Sequence, residues 1–270
     1  MAALFALISL KFVGFYGLNW ATFVCSFLSA ILFAIDLFTG IEEVKGAPLT
    51  VCTMFGLGGL VISCVCGIFM FNEPMSWFQA AGLLLFLIGA YLLTAKDKNK
   101  TSKIDLRTYL MLLINLLVNG LVMILQKYFS VKVSNGNVSL FSFLTFLLNS
   151  LIMFVFVAFY GIKNRSREEK NEKKKEKTFF GLPKRLLLCG ALLAFALFVI
   201  NLLVTQMGKT VDSVILFPVS SALSLGLVAL VGWAAFQEKL ALKNWIGLLI
   251  GLLGIVIIGI LTPETVSKLF

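Results

Sequence analysis

Long apolar runs occupy most of the chain and limit what it can fold into. Each run is close to the roughly 20 residues that an α-helix needs to cross the hydrocarbon core of a bilayer. A shorter run covers 2–18, and eight full runs lie near 21–40, 49–71, 76–95, 107–130, 138–161, 186–207, 213–236 and 242–262. Lipid-exposed backbone must satisfy its own hydrogen bonds, as an α-helix does. The runs therefore predict an all-α fold, a polytopic transmembrane helix bundle of nine or ten helices.

The charged residues fit a membrane protein better than a nucleic-acid-binding protein. The net charge is +10, yet only 13% of the residues are charged, about half the share in a soluble domain. Most of the 23 Lys and Arg residues lie in alternate connections, chiefly 96–107 and 163–185. Basic residues concentrate in cytoplasmic loops. The distribution predicts a multi-pass protein of the cell membrane with these loops in the cytoplasm, the lipid bilayer as a partner, and no nucleic acid.

One sequence phrase occurs twice. Residues 71–93, "FNEPMSWFQAAGLLLFLIGAYLL", recur as "FQEKLALKNWIGLLIGLLGIVII" at 236–258, an offset of 165 residues (236 minus 71). The matched pairs are Phe71 and Phe236, Glu73 and Glu238, Gly82 and Gly247, and Gly89 and Gly254. An odd number of spans separates the copies, so the two copies have opposite orientations. We expect two inverted repeats, 1–95 and 106–262, a pattern typical of secondary transporters.

The repeated phrase carries a resemblance to a known family. An acid two residues after Phe, a short polar stretch, and then G-L-L with another Gly seven residues after the first resembles the EamA-like family of the drug/metabolite transporter superfamily. Residues 217–240, "FPVSSALSLGLVALVGWAAFQEKL", look like that family's ninth helix. The resemblance implies ten helices in two inverted five-helix halves and transport of small metabolites. It covers 21–262.

The chain departs from that family pattern in two ways. The first repeat has three full spans and the short run 2–18, so it lacks a helix at the N-terminus. The distribution of basic residues also places the tail "TPETVSKLF" outside, whereas the resemblance implies a cytoplasmic tail.

Asp36 is the acid placed deepest within an apolar run, and its repeat mate is Asn201. An ionisable group inside a span is costly and is a functional candidate by default. Asp36 would be a proton or cation site or a substrate contact. The alternative is a position near a helix end, hydrated from the adjoining "GIEEVK" loop.

Neutral polar residues supply further candidates for a substrate-binding cavity. Asn115 and Asn119 are four residues apart and so share one helix face, and Asn149 and Ser221 lie in other spans. Together with Asp36 and Asn201, they predict a polar cavity between the halves. The alternative for each is a hydrogen bond that joins two helices.

Two acids, Glu73 and Glu238, stand where a new span begins. A carboxylate there caps the first N–H groups of the helix and complements its dipole. We assign them to helix ends or gating, with direct substrate binding as the alternative. The G-x-x-x-G motif of Gly247 and Gly251 predicts close helix packing within the bundle, with a homodimer as the second possibility.

The residue inventory disfavours an enzyme. The chain has no His, no close pair of acids within its spans and no phosphate-binding G-x-x-x-x-G-K-[ST] loop. No catalytic residue, metal site or cofactor is predicted. We expect a secondary transporter that moves a small organic metabolite, such as an amino acid, related amphiphile or drug-like solute, by alternating access. The alternatives are a non-transporting membrane scaffold and an intramembrane enzyme.

Overall fold

The computed structural model describes residues 2–14, 16–47, 49–94, 105–133, 136–168, 184–222 and 242–269. Within these ranges every regular element is a helix. The helices are α1 (Ala2–Val13), α2 (Trp20–Gly46), α3 (Leu49–Phe71), α4 (Trp77–Thr94), α5 (Leu106–Lys132), α6 (Val138–Glu168), α7 (Lys184–Met207), α8 (Ser213–Ala222), α9 (Leu242–Ile260) and α10 (Pro263–Leu269).

The helices of the described part of the chain suit a bilayer by length and composition. Four are long and apolar enough to cross it: Trp20–Gly46, Val51–Phe71, Leu106–Lys132 and Val138–Phe156. Four shorter apolar helices are Trp77–Leu92, Ala194–Met207, Ser213–Ala222 and Trp245–Ile260. The all-helical fold is confirmed over these residues, and the total number of spans and the inverted repeat stay predictions.

Two predicted boundaries are wrong. The first span continues beyond residue 40, because "GIEEVK" forms the last turns of α2 rather than a loop. The segment 2–18 is not one helix: α1 has 12 residues, about 18 Å, which is shorter than a hydrocarbon core of about 30 Å. After α1 the backbone turns at Gly14 and Gly17, with φ of 93° and 76°, values that favour glycine.

The chain forms two compact units, each built from two segments. Unit 1 comprises Met1–Ala34 and Phe129–Gln206, and unit 2 comprises Ile35–Tyr128 and Met207–Phe270. The predicted repeats 1–95 and 106–262 are defined by sequence similarity, whereas the two units are defined by contacts. The repeats therefore stay a prediction.

Unit 1 is held together by contacts of α6. Asn137 caps α6 by accepting hydrogen bonds from the N–H groups of Ser139 and Leu140, and its amide donates to the carbonyl of Gly14 at 2.9 Å. The rings of Phe129 and Phe141 stack with centroids 4.2 Å apart. The hydrogen bond from Asn137 to Gly14 ties the end of α1 to the start of α6, and the stacked rings join α5 to α6.

Unit 2 contains a close glycine contact between α4 and α9. A Cβ built on Gly82 would lie 2.8 Å from the carbonyl oxygen of Gly254, and one built on Gly89 would lie 2.6 Å from that of Gly247. Gly247 and Gly251, the glycines of the G-x-x-x-G motif, therefore pack against α4 within the chain.

Candidate functional site

Three of the six predicted binding residues meet in unit 2, where α2 and α5 pack together. Asn119 donates from Nδ2 to Oδ1 of Asp36 at 2.8 Å, and Asn115 donates to the same oxygen at 3.4 Å. Asn119 also donates to Oδ1 of Asn115 at 3.0 Å. Their spacing of four residues puts both amides on one face of α5, so both can reach a single carboxylate on α2.

Neighbouring residues hold this group in place. Thr39, one turn after Asp36, donates to the carbonyl oxygens of Ile35 and Asp36 at 2.9 and 3.0 Å. Its Oγ1 in turn accepts a hydrogen bond from Asn115 at 3.4 Å. On α3, Gly56 presents no side chain towards the amides, and a Cβ there would lie 3.6 Å from Oδ1 of Asn115. The two asparagines are therefore oriented by hydrogen bonds to α2, and Gly56 on α3 leaves room beside them.

The same three residues line a wide-open pocket of about 640 Å³, a volume within the range of small-molecule sites. The remaining lining comes from one side of α2 and is apolar: Leu37, Gly40, Ile41 and Val44. The pocket thus combines one carboxylate and two amides with an aliphatic wall.

The other predicted binding residues have different surroundings. In unit 1, Asn149 is buried and donates to the carbonyl oxygen of Ala30 at 3.2 Å. Asn201, also buried in unit 1, accepts a hydrogen bond from Ser142 at 3.0 Å, while its Nδ2 has no partner among the described residues. In unit 2, Ser221 is buried on α8. A single cavity shared by all six residues stays a prediction.

Glu73 lies in a second buried polar cluster of unit 2, which we call the Glu73 cluster. Its Oε1 is 2.6 Å from Nζ of Lys127, and its Oε2 accepts a hydrogen bond from the backbone N–H of Ser213 at 2.7 Å. Lys127 also donates to the carbonyl oxygen of Val211 at 2.5 Å. Glu73 and Lys127 are only 7% and 4% exposed. The cluster joins the α3–α4 connection to α5 and to the start of α8.

The capping role predicted for Glu73 is correct in kind but assigned to the wrong helix. Glu73 caps α8, not α4, which follows it in the sequence. At the start of α4, the N–H of Gln79 bonds to Oγ of Ser76, and the N–H of Ser76 bonds to Oε1 of Gln79. This reciprocal pair is a capping box. The S-x-x-Q spacing of "SWFQ" in the sequence could have predicted this capping box, but the prediction rested only on the acid before the apolar run. Glu238 lies outside the described residues.

Two buried charged residues were not predicted. Lys127 stands near the end of an apolar run, where a basic residue usually reaches the interface, yet it is paired with Glu73. Glu43 stands in "GIEEVK", which was assigned to a loop, yet it is 4% exposed on α2. No group of three or more His, Cys, Asp or Glu side chains forms a metal site in the described ranges.

Comparisons with known proteins give a family match and a similar fold. Residues 106–260, more than half of the chain, match the model of the EamA-like transporter family. The fold is similar to that of a solved crystal structure with a TM-score of 0.71 and 14% sequence identity, and the alignment covers 97% of this chain and 85% of the other. No functionally curated protein matches the sequence. The chain therefore belongs to the EamA-like transporter family, whose members are membrane transporters rather than enzymes.

Proposed function

We propose that the protein is a secondary transporter that moves a small organic metabolite across the cell membrane by alternating access. Asp36 in the pocket between α2 and α5 is the contact for a positively charged group of the substrate. The observation that carries this proposal is the carboxylate with both α5 amides bonded to one of its oxygens, at the wall of a pocket of about 640 Å³. Amino acids, amines and related amphiphiles have the matching chemistry.

The pocket has a polar part and an apolar part, which together suit an amphiphilic substrate. Asp36 supplies a negative charge inside an apolar helix, where a charge is costly unless it is compensated. An ammonium group would compensate it and form a charge-assisted hydrogen bond. Leu37, Ile41 and Val44 would contact the apolar part of the same molecule.

The amides of Asn115 and Asn119 fix the carboxylate for this task. Their donors hold Oδ1 of Asp36, so the side chain does not have to be ordered when the substrate arrives. Pre-organisation of this kind raises affinity by lowering the entropy lost on binding. In this proposal, Asn149, Asn201 and Ser221 complete the substrate pathway, and Glu73 and Glu238 act at helix ends in gating.

The inverted repeat is the proposed source of alternating access. If 1–95 and 106–262 adopt two slightly different packings, an exchange of those packings would open the site first to one side and then to the other. The recurrence of the phrase at 71–93 as 236–258 supports this view.

Reconstitution gives a direct test of transport. Purified protein in liposomes would be incubated with an equimolar mixture of the proteinogenic amino acids and aliphatic amines, and the vesicle contents analysed by mass spectrometry. We expect at least one positively charged compound to enter faster than into protein-free vesicles. If no compound enters, with or without an imposed pH gradient, the transporter proposal is contradicted.

Asp36→Asn should weaken uptake of that compound. Loss of a hydrogen bond to a charged group is worth about 1.5–3 kcal/mol, which corresponds to a change of about 10- to 100-fold in the apparent affinity. Uptake rates as a function of substrate concentration measure the change. The matched control is Glu42→Gln on the same helix, because the Glu42 side chain is partly exposed and pairs with Lys45 and Arg107. Equal effects of both substitutions would rule out a specific role for Asp36.

Location and topology can be tested together. In a cysteine-free background, Lys100→Cys and Lys173→Cys should resist an impermeant thiol reagent in intact cells, because both positions lie in the basic loops predicted to be cytoplasmic. Thr210→Cys, at an exposed position in the opposite set of connections, should be labelled. The reverse pattern would mean that the orientation is inverted, and the absence of labelling at all three positions would argue against the cell membrane.

A further inference from the structure

Glu43 is a buried acid that the proposed substrate site does not use. Glu43 is 4% exposed, and its Oε2 has no hydrogen-bond partner in the part of the chain that the structure describes. It lies on α2 seven residues after Asp36, which places the two acids on the same side of the helix about 10 Å apart along its axis. Glu43 does not line the Asp36 pocket.

Within the described ranges, the surroundings of Glu43 are largely apolar and contain no cation paired with it. Ala47 directly after α2, Cys52 on α3 and Leu112 on α5 form a buried cluster next to it. The titratable groups that act on this region are Asp36 from α2 and Cys52 from α3, and α5 contributes Thr108 opposite Gly46. The nearby basic residues, Lys45 and Arg107, pair with Glu42 instead.

A comparison with Glu73 shows what this arrangement implies. Both glutamates are more than nine-tenths buried, but Glu73 has Lys127 and a backbone N–H, whereas Oε2 of Glu43 has neither among the residues described. An ionised carboxylate without such partners costs so much in an apolar environment that the group takes up a proton instead.

We propose that Glu43 is a proton-binding site, separate from the substrate contact at Asp36, and that it couples transport to a proton gradient. The proton site stands on its own observations, and its role in coupling rests on the transport activity proposed above. Two negative charges on one side of α2 repel each other, so an ionised Asp36 favours the protonated form of Glu43. A cationic substrate at Asp36 would remove that repulsion and favour release of the proton from Glu43. Substrate and proton would then be exchanged in opposite directions.

Infrared spectroscopy tests the proton site without a substrate. The spectrum of Glu43→Gln would be subtracted from that of the wild-type protein, both at neutral pH. We expect the signal lost from the wild-type protein to be the C=O stretch of a carboxylic acid. Loss of carboxylate stretches instead would show that Glu43 is ionised and would overturn the proposal. Glu42→Gln is the matched control, and it should lose carboxylate stretches because Glu42 is ion-paired.

Transport by the same variant tests the coupling. With the compound that wild-type vesicles take up from the amino-acid and amine mixture, Glu43→Gln should lose accumulation driven by an acidic vesicle interior. It should retain exchange of internal for external compound at equal pH. Accumulation that persists in the variant, or loss of both activities, would overturn the coupling role. Absence of uptake by the wild-type protein would instead contradict the transport proposal, while the infrared result would still decide whether Glu43 binds a proton.

Discussion

Replacing Lys127 with Met is expected to lower the free energy of unfolding by about 3–5 kcal/mol, the usual effect of removing one partner of a buried ion pair. The substitution removes the positive charge 2.6 Å from Glu73 and leaves a carboxylate that is only 7% exposed without a counter-charge. It also removes the donor to the carbonyl oxygen of Val211. Unfolding of the protein in mixed detergent micelles, followed by circular dichroism, would measure the change.

A second variant separates the cost of the lone charge from a general loss of packing. In the double variant Glu73→Gln with Lys127→Met, no charge remains, and Gln can still accept the hydrogen bond from the N–H of Ser213. We expect the double variant to be more stable than Lys127→Met alone. Lys132→Met, at an exposed position one turn further along α5, should have little effect. If the single and double variants are equally unstable, the ion pair is not the source of the loss.

Gly89→Ala should also destabilise the fold, by about 1–3 kcal/mol, because the added methyl group overpacks the contact of α4 with α9. A Cβ at this position would lie 2.6 Å from the carbonyl oxygen of Gly247 and would meet the backbone of Gly251 as well. Backbone atoms cannot rotate away as a flexible side chain could, so the two helices would have to separate. The same unfolding measurement applies.

The matched control for Gly89→Ala lies on the partner helix. Gly259 is in α9, and a Cβ built there would have no atom of the described residues within 4 Å. Gly259→Ala should leave stability unchanged or raise it by up to about 1 kcal/mol, since Ala is the better helix former. If both substitutions destabilise the protein to the same extent, close approach of the helices at Gly89 is not the cause.

The sequence predicted those parts of the site that depend on local spacing. Asn115 and Asn119 were expected on one face because four residues make about one helical turn, and the structure places them so. That Asp36 accepts from both depends on how α2 packs against α5, which no local pattern encodes. For the same reason, the substrate-site prediction could name the polar residues but could not separate those of unit 1 from those of unit 2.

The two misjudged acids show the same limit. Glu73 was assigned to the helix that follows it, because a sequence shows only the local neighbours of a residue. The hydrogen bond that Glu73 accepts comes from the N–H of a residue 140 positions away. Glu43 was assigned to a loop because Gly40 and two adjacent acids interrupt the apolar run. Burial against α3 and α5 overrides that local tendency, as tertiary context often does.

The Glu73 cluster also has a consequence for biosynthesis. Its members leave the ribosome far apart in time, since Lys127 precedes Val211 by 84 residues and Glu73 precedes Ser213 by 140. A nascent chain that has not yet reached α8 contains both charges without the backbone groups that complete their bonding. Release of the chain before that point would leave polar groups in lipid that only the later segment can satisfy. A segment translated long after both charges thus completes their hydrogen bonding within the membrane.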